Sequence, residues 1–290
     1  MIIDCHYHLN EAMLPTDALL VKMDETGIEK IALMANMCGP LPFIKPGLEK
    51  LGRFLLTHPA FRGAGQKVLD KFTTDGNVIL PGGEVKIIRD PDNRPVFDTI
   101  ARYPEKFLGW IFVNPKGLND QLQEFNKWID STGIVGVKAH PFWHRFAPID
   151  LLPVAEQIAF RGKLMLLHLG FGDHGDYRAL LKKVPDLKLL LAHAAFPCYS
   201  TIWKEIKDIA NVYVDLSATS YVNESITRQA VRFLGEDKCL FGTDGPFGSI
   251  TTPHGRFDPG LIKRRIERLF PDEYVQAKLL GGNFLNLINS

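Results

Sequence analysis

Eight short apolar runs, nearly every one trailed by a helix-length amphipathic stretch, constrain this chain more than any other feature. They are "MIIDCHYHL" (1–9), "EKIALMAN" (29–36), "FLGWIFVNP" (107–115), "GIVGVKAHP" (133–141), "KLMLLHLG" (163–170), "LKLLLAHA" (187–194), "NVYVDLSA" (211–218) and "KCLFGTDGP" (238–246). Runs this short and this continuously apolar suit strands buried on both faces of a parallel sheet. Helical patterns occupy 15–26, 93–102, 119–131, 149–161, 174–183, 200–209, 223–234 and 258–269, with Thr16 or Asp17, Asn119, Asp150 and Asn223 as candidate caps. Eight strand–helix units predict a closed (β/α)8 barrel. An open doubly wound sheet is the rival, but no G-x-G-x-x-G follows the first run.

A barrel of this kind fits in one domain, and the 290 residues are read as one, 1–290. Residues 37–92 break the rhythm. They open on "MCGPLPFIKPG", close on "IIRDPDNRP", and hold two helical stretches, "LEKLGRFLLTHP" and "GQKVLDKFT". Leaving from the carboxyl end of the second strand, this insertion is expected to serve as a lid or binding wall. The tail "DEYVQAKLLGGNFLNLI" reads as a final helix outside the barrel.

Charge and cysteine usage narrow the partners. A net charge of +1 gives no footprint for nucleic acid or an anionic membrane. No apolar run reaches the ~18 residues of a membrane span, and the first residues read as a strand rather than a signal peptide. Cys5, Cys38, Cys198 and Cys239 form no C-x-x-C pair. That argues against a disulfide framework or a zinc ribbon and leads us to expect a cytoplasmic protein.

The chemistry gathers at the strand ends. In "DCHYHL", strict alternation puts Ile3, Cys5, Tyr7 and Leu9 on one face and Asp4, His6 and His8 on the other, which should point into the barrel. Two inward imidazoles two residues apart are spaced for one metal ion. His168 ends the fifth run, His193 the sixth and Asp244 the eighth, each in an otherwise apolar or glycine-rich segment where a polar residue is costly without a partner. All five fall at the face where barrel enzymes place their active sites. We take His6, His8, His168 and Asp244 as ligands, with Asp244 also a general base. His193 is read as an acid or oxyanion donor beside the ion, or as a fifth ligand. Imidazole and carboxylate donors suit zinc first, with manganese, iron or cobalt also compatible.

Substrate contacts are expected from Lys138, His140, Arg145 and Phe171, the last with Phe196 and Phe247 as an apolar wall. Lys138 equally fits a structural ion pair with Asp4. His174 and His254 read as exposed loop histidines, and Asp215 as a polar structural residue of the barrel.

With these segments in place the chain resembles the amidohydrolase superfamily, in its amidohydrolase-2 branch of metal-dependent hydrolases and decarboxylases related to aminocarboxymuconate semialdehyde decarboxylase. "IIDCHYHL", "YPEKFLGWIFVNP", "GIVGVKAHP", "LMLLHLG", "LLLAHAAF", "NVYVDLSA", "LFGTDGP" and "LLGGNFLNLI" carry the resemblance, which skips 37–92. It implies a distorted (β/α)8 barrel, to which this chain adds the helical insertion after strand 2 read above, and usually one divalent ion, often zinc. It also implies that the position of His193 serves substrate or catalysis. Binuclear members of the superfamily carry a carbamylated lysine where Lys138 stands, which would bring a second ion. A homodimer rests on the same analogy.

The expected function is hydrolysis of a small-molecule ester, lactone or amide by a metal-activated water. The alternative is a metal-dependent nonoxidative decarboxylase of a small carboxylated substrate. A barrel retained only for binding would have lost a ligand, and none of the set is missing.

Overall fold

The computed structural model describes residues 1–74, 76–80, 82–247 and 257–290. His254 lies outside the described residues. Two barrel strands come first, β1 (Ile3–Leu9) and β2 (Lys30–Ala35). The insertion supplies β3 (Thr73–Thr74), β4 (Asn77–Leu80) and β5 (Gly83–Lys86). The barrel resumes with β6 (Phe107–Phe112), β7 (Ile134–Ala139), β8 (Leu164–Leu167), β9 (Lys188–Leu191), β10 (Val212–Asp215) and β11 (Cys239–Leu240).

All eight expected strands form. They make one sheet in the order β1-β2-β6-β7-β8-β9-β10-β11, with every pairing parallel. The ring closes beyond the end of β11. There Cys5 N–H donates to Phe241 O (3.0 Å), Asp244 N–H to His6 O (2.8 Å) and His8 N–H to Gly245 O (2.6 Å). These bonds set the Asp244 backbone beside both histidines of β1.

Helices cover the outside because each presents an apolar stripe to the strands. Arg94–Arg102 buries Val96, Phe97 and Ile100, and Gly109 on β6 makes the room: a Cβ there would stand 2.4 Å from Ile100 Cδ1. Asn223 caps Glu224–Leu234 as expected, accepting from Ile226 N–H at 3.0 Å. The other expected caps shift. Asp120 rather than Asn119 caps Gln121–Trp128, Asp150 accepts from Ala147 N–H, and Thr16–Thr26 follows Pro15 without a side-chain cap. The final helix, Asn283–Asn289, sends Phe284 and Leu287 into the interior cluster, so the tail plugs the floor instead of lying wholly outside. At Gly281 a Cβ would come within 2.4 Å of Met1 O, which holds this plug against the start of β1.

The interior cluster corrects the strict alternation read for β1. Ile3 and Cys5 pack with Ala32, Met34, Trp110, Leu166 and Leu240, residues drawn from around the ring, whereas Tyr7 and Leu9 belong to the outer core. The register to β2 shifts between Asp4 and Tyr7, where three steps on β1 oppose two on its partner. Such a bulge leaves one residue unpaired and reverses the facing of everything after it. Asp4 therefore points away from the interior and binds the Thr243 N–H and hydroxyl. It makes no ion pair with Lys138. His6 and His8 face inward as expected.

The insertion forms helices Pro46–Thr57 and Arg62–Phe72, close to the two stretches read as helical, and an antiparallel β3-β4-β5 sheet that was not anticipated. Its signal is in "TTDGNVILPGGEV", where D-G and G-G turn pairs flank a β-branched run.

Candidate metal centre and cavity

His6 and His8 end in mirror-like arrangements. His6 Nδ1 donates to Asp215 Oδ2 at 2.9 Å, and His8 Nδ1 donates to Ala35 O at 3.0 Å. Each proton is thereby held on Nδ1, and each Nε2 keeps its lone pair. Both Nε2 atoms face Asp244 Oδ1, at 3.2 Å from His6 and 3.6 Å from His8. His6, His8 and Asp244 thus offer three ligand atoms within 4.8 Å of one another. Burial holds His6 well below the usual histidine range and brings His8 down to about 3, so both are neutral, the form that binds metal. Burial pushes the Asp244 carboxyl up and the Lys138 ammonium down, and each charge opposes the other's shift.

His168 stands outside that group of three, but its Nε2 is buried with no hydrogen-bond partner among the described residues. Its Nδ1 donates to His193 Nε2 at 3.1 Å, His193 Nδ1 donates to Ser217 Oγ at 2.8 Å, and the Ser217 hydroxyl donates to Asp215 Oδ1. Every donor in this chain meets an acceptor, and the one group left unused is a lone pair on His168. A buried orphan acceptor at such a site is what a bound cation would satisfy, so the donor set fits a divalent ion. A second cluster, His6, His193 and Asp215, is also compact. Its atoms are already spent on hydrogen bonds, His6 Nδ1 to Asp215 and the two His193 ring nitrogens to Ser217 and His168, and we read it as scaffolding.

Asp215, which the sequence suggests is a polar structural residue, is the hub of this network. Besides His6 it accepts from His193 N–H (2.9 Å), Ser217 N–H (3.0 Å) and the Ser217 hydroxyl. Two backbone outliers shape the site: His193 has φ 56° at the head of a left-handed turn with Ala194 and Ala195, and Asp244 has φ 60°. Non-glycine residues in this region are costly and collect at functional sites.

A cavity of about 450 Å³ opens above these groups. His8, His140, His168 and Asp244 form its polar floor, and the insertion and the loops after β7, β9 and β10 form its walls. His140 reaches it as expected. Trp143 N–H donates to His140 Nδ1 at 3.1 Å, which places the His140 proton on Nε2 and makes that atom a donor. The remaining expected contacts fall elsewhere. His193 is buried behind His168 and does not line the cavity. Lys138 is fully buried beneath His6, with Nζ 3.4 Å from His6 Nε2. Arg145 turns outward and pairs with Asp70 of the insertion at 2.7 Å. Phe171 packs edge-on against Phe142 in the core. Phe196 and Phe247 do line the cavity, and so does Tyr221, whose ring stacks on Phe196 and lies 5.1 Å from that of His193.

Fold and site together define a (β/α)8 barrel with a histidine–aspartate cluster at its carboxyl mouth. The family model described as Amidohydrolase matches residues 3–283, and the chain belongs to that family of metal-dependent enzymes. No curated protein sequence matches the chain. Among solved structures it is similar to a 2,6-dihydroxybenzoate decarboxylase complexed with 2,6-dihydroxybenzoate, at 14% identity and TM-score 0.62, over 100% of this chain and 99% of that one. A dihydroxybenzoic acid decarboxylase from Polaromonas sp. JS666, with bound manganese and the inhibitor 2-nitroresorcinol, matches at 16% identity and TM-score 0.60, over 99% and 96%. A protein from Pseudomonas putida provisionally described as a 2-pyrone-4,6-dicarboxylic acid hydrolase matches at 16% identity and TM-score 0.63, over 99% and 97%. Identities this low carry the fold alone, and hydrolysis and decarboxylation both fit the family. None of the helices among the described residues is long and apolar enough to cross a membrane.

Proposed function

We propose that this enzyme is a metal-dependent hydrolase of a small-molecule ester, lactone or amide. The observation that carries the choice over decarboxylation is the charge inventory of the cavity. Arg53 is the one cation among the described residues that line it, and Glu49 already holds that guanidinium at 2.5 Å. A decarboxylase that clamps its carboxylate on a side-chain cation, apart from the metal, finds no free one among the described residues of this wall.

In this reading His6, His8, His168 and Asp244 hold one divalent ion, zinc by donor set, within a single domain whose 37–92 insertion is the lid. Such an ion, when bound, brings the pKa of a coordinated water to ~7 and polarises the carbonyl. The side chain of Asp244 is 16% exposed toward the cavity and takes the proton of the attacking water on its carboxylate. His140 Nε2–H donates to the carbonyl oxygen as negative charge grows there. His193 acts through His168: it holds the His168 proton on Nδ1 and is a positioning residue. Lys138 supplies a buried positive charge opposite Asp244.

The test combines metal content with product identity. Protein purified without a histidine tag should hold about one divalent ion per chain, lost in His6→Ala and Asp244→Ala. It should release acid and alcohol or amine from an ester, lactone and amide panel. Two ions per chain would instead point to a carbamylated Lys138. Carbon dioxide release from hydroxybenzoates, with no ester or lactone turnover, would replace this reading by decarboxylation.

A further inference from the structure

The insertion gives the cavity its character, and one pair of residues in it sets the charge. Leu56, Leu69 and Phe72 come from the insertion, and Phe142, Trp143 and Phe196 face them from the barrel loops. A dry cavity of about 150 Å³ accommodates benzene, so the volume of about 450 Å³ takes a body roughly three times that size. Glu49 and Arg53 sit one turn apart on Pro46–Thr57, with side chains only 10% and 17% exposed. Arg53 Nη1 also donates to Ser220 O at 2.9 Å, which ties the insertion to the loop after β10. Both bonds converge on Nη1, and the carboxylate that neutralises the guanidinium lies in the same wall.

We propose, resting on the hydrolase reading of this site, that the cavity selects uncharged substrates with a large apolar body. Glu49, by holding Arg53, is the specificity-determining residue that turns carboxylated ones away. A substrate carboxylate that reached this guanidinium, already neutralised by Glu49, would lie beside the Glu49 carboxylate, with like charges in a poorly hydrated wall. An alkyl or aryl body meets no such barrier, and each added methylene should tighten binding about fourfold until the space is filled.

Binding to the metal-free full-length protein separates this from turnover. The probes are N-alkyl benzamides of rising chain length and the same amides ending in a carboxylate, read by tryptophan fluorescence (Trp143 lines the cavity) and calorimetry. Wild type should bind the neutral series with stepwise gains and prefer each neutral amide to its carboxylated partner by at least tenfold. Glu49→Gln frees Arg53, and the preference should fall at least tenfold. In the double variant Glu49→Gln/Arg53→Gln it should return toward the wild-type ratio. Equal or tighter binding of the carboxylated amides by wild type overturns the proposal. So does a ratio that Glu49→Gln leaves unmoved, or no gain with chain length. Because no turnover is measured, loss of the hydrolase reading shows in the product assay and loss of this one in the binding ratio.

Discussion

Replacing Asp215 with asparagine tests the hydrogen-bond logic of the site at its hub. Asp215 Oδ1 takes three bonds, from His193 N–H, Ser217 N–H and the Ser217 hydroxyl, while Oδ2 takes His6 Nδ1–H alone. The asparagine keeps its carbonyl where three donors converge and turns its amide toward His6. A donor then faces a donor. His6 relieves the clash by moving its proton to Nε2 and accepting on Nδ1, which removes the lone pair that faces Asp244. Loss of an orienting partner of a metal-bound histidine costs ~10–100-fold in affinity, about 1.4–2.7 kcal/mol at 1.36 kcal/mol per tenfold. The metal-free fold should lose little, under about 1.5 kcal/mol, because the flipped tautomer restores the bond. Competition against a chromophoric chelator gives the metal affinity, urea unfolding of the stripped protein gives the stability, and nitrogen NMR of the histidines reports the tautomer. An affinity within twofold of wild type, with His6 still protonated on Nδ1, would refute the reasoning.

Two further outcomes follow from residues that left or never entered the site. Arg145→Ala breaks a half-exposed pair with Asp70, so unfolding should change by only ~0–1 kcal/mol, and KM for the best substrate should stay within twofold; a tenfold rise would place the guanidinium on substrate after all. His144 is buried and its folded pKa is held down to about 4 by burial. The unfolded chain takes this proton first as pH falls below ~6.5. The stability is therefore complete above ~6.5 and drains away toward about 4, at up to ~1.4 kcal/mol per pH unit. Urea midpoints of metal-free wild type against His144→Gln from pH 7 to 4.5 should show that extra slope in the wild type alone.

The barrel was legible because its strands are buried on both faces and read as unbroken apolar runs, a signal that does not depend on register. What depended on register was less so. Asp4 was expected inside with His6 and His8, and a bulge that no residue in "DCHYHL" announces turned it toward Thr243. The three-stranded sheet of the insertion was missed because its strands are two to four residues long, too short for periodicity to speak. His193 and Lys138 were placed by strand-end position and parity. The left-handed turn at His193–Ala195 carries the first behind His168, and burial below His6 takes the second out of reach of the cavity.

The candidate site shows a sharper division. A sequence counts imidazoles, but an imidazole has two nitrogens, and the chemistry lies in which one is free. His6, His8, His168 and His140 differ in nothing the chain displays. Asp215 and the carbonyl of Ala35 each take the Nδ1 proton of one histidine of β1 and leave Nε2 as a donor of electrons. His193 does the same for His168. At His140 the partner is a backbone N–H, so the proton moves to the other nitrogen and the residue can donate into the cavity. Three residues of one type thus suit metal binding and a fourth suits oxyanion stabilisation, for reasons held in a carboxylate, a carbonyl, a second imidazole and an amide far apart in the chain. The candidate ligands stand at strand ends; their proposed division of labour is written in what each ring's far nitrogen touches, and Asp215→Asn is the substitution that rewrites one of those contacts while leaving the candidate set intact.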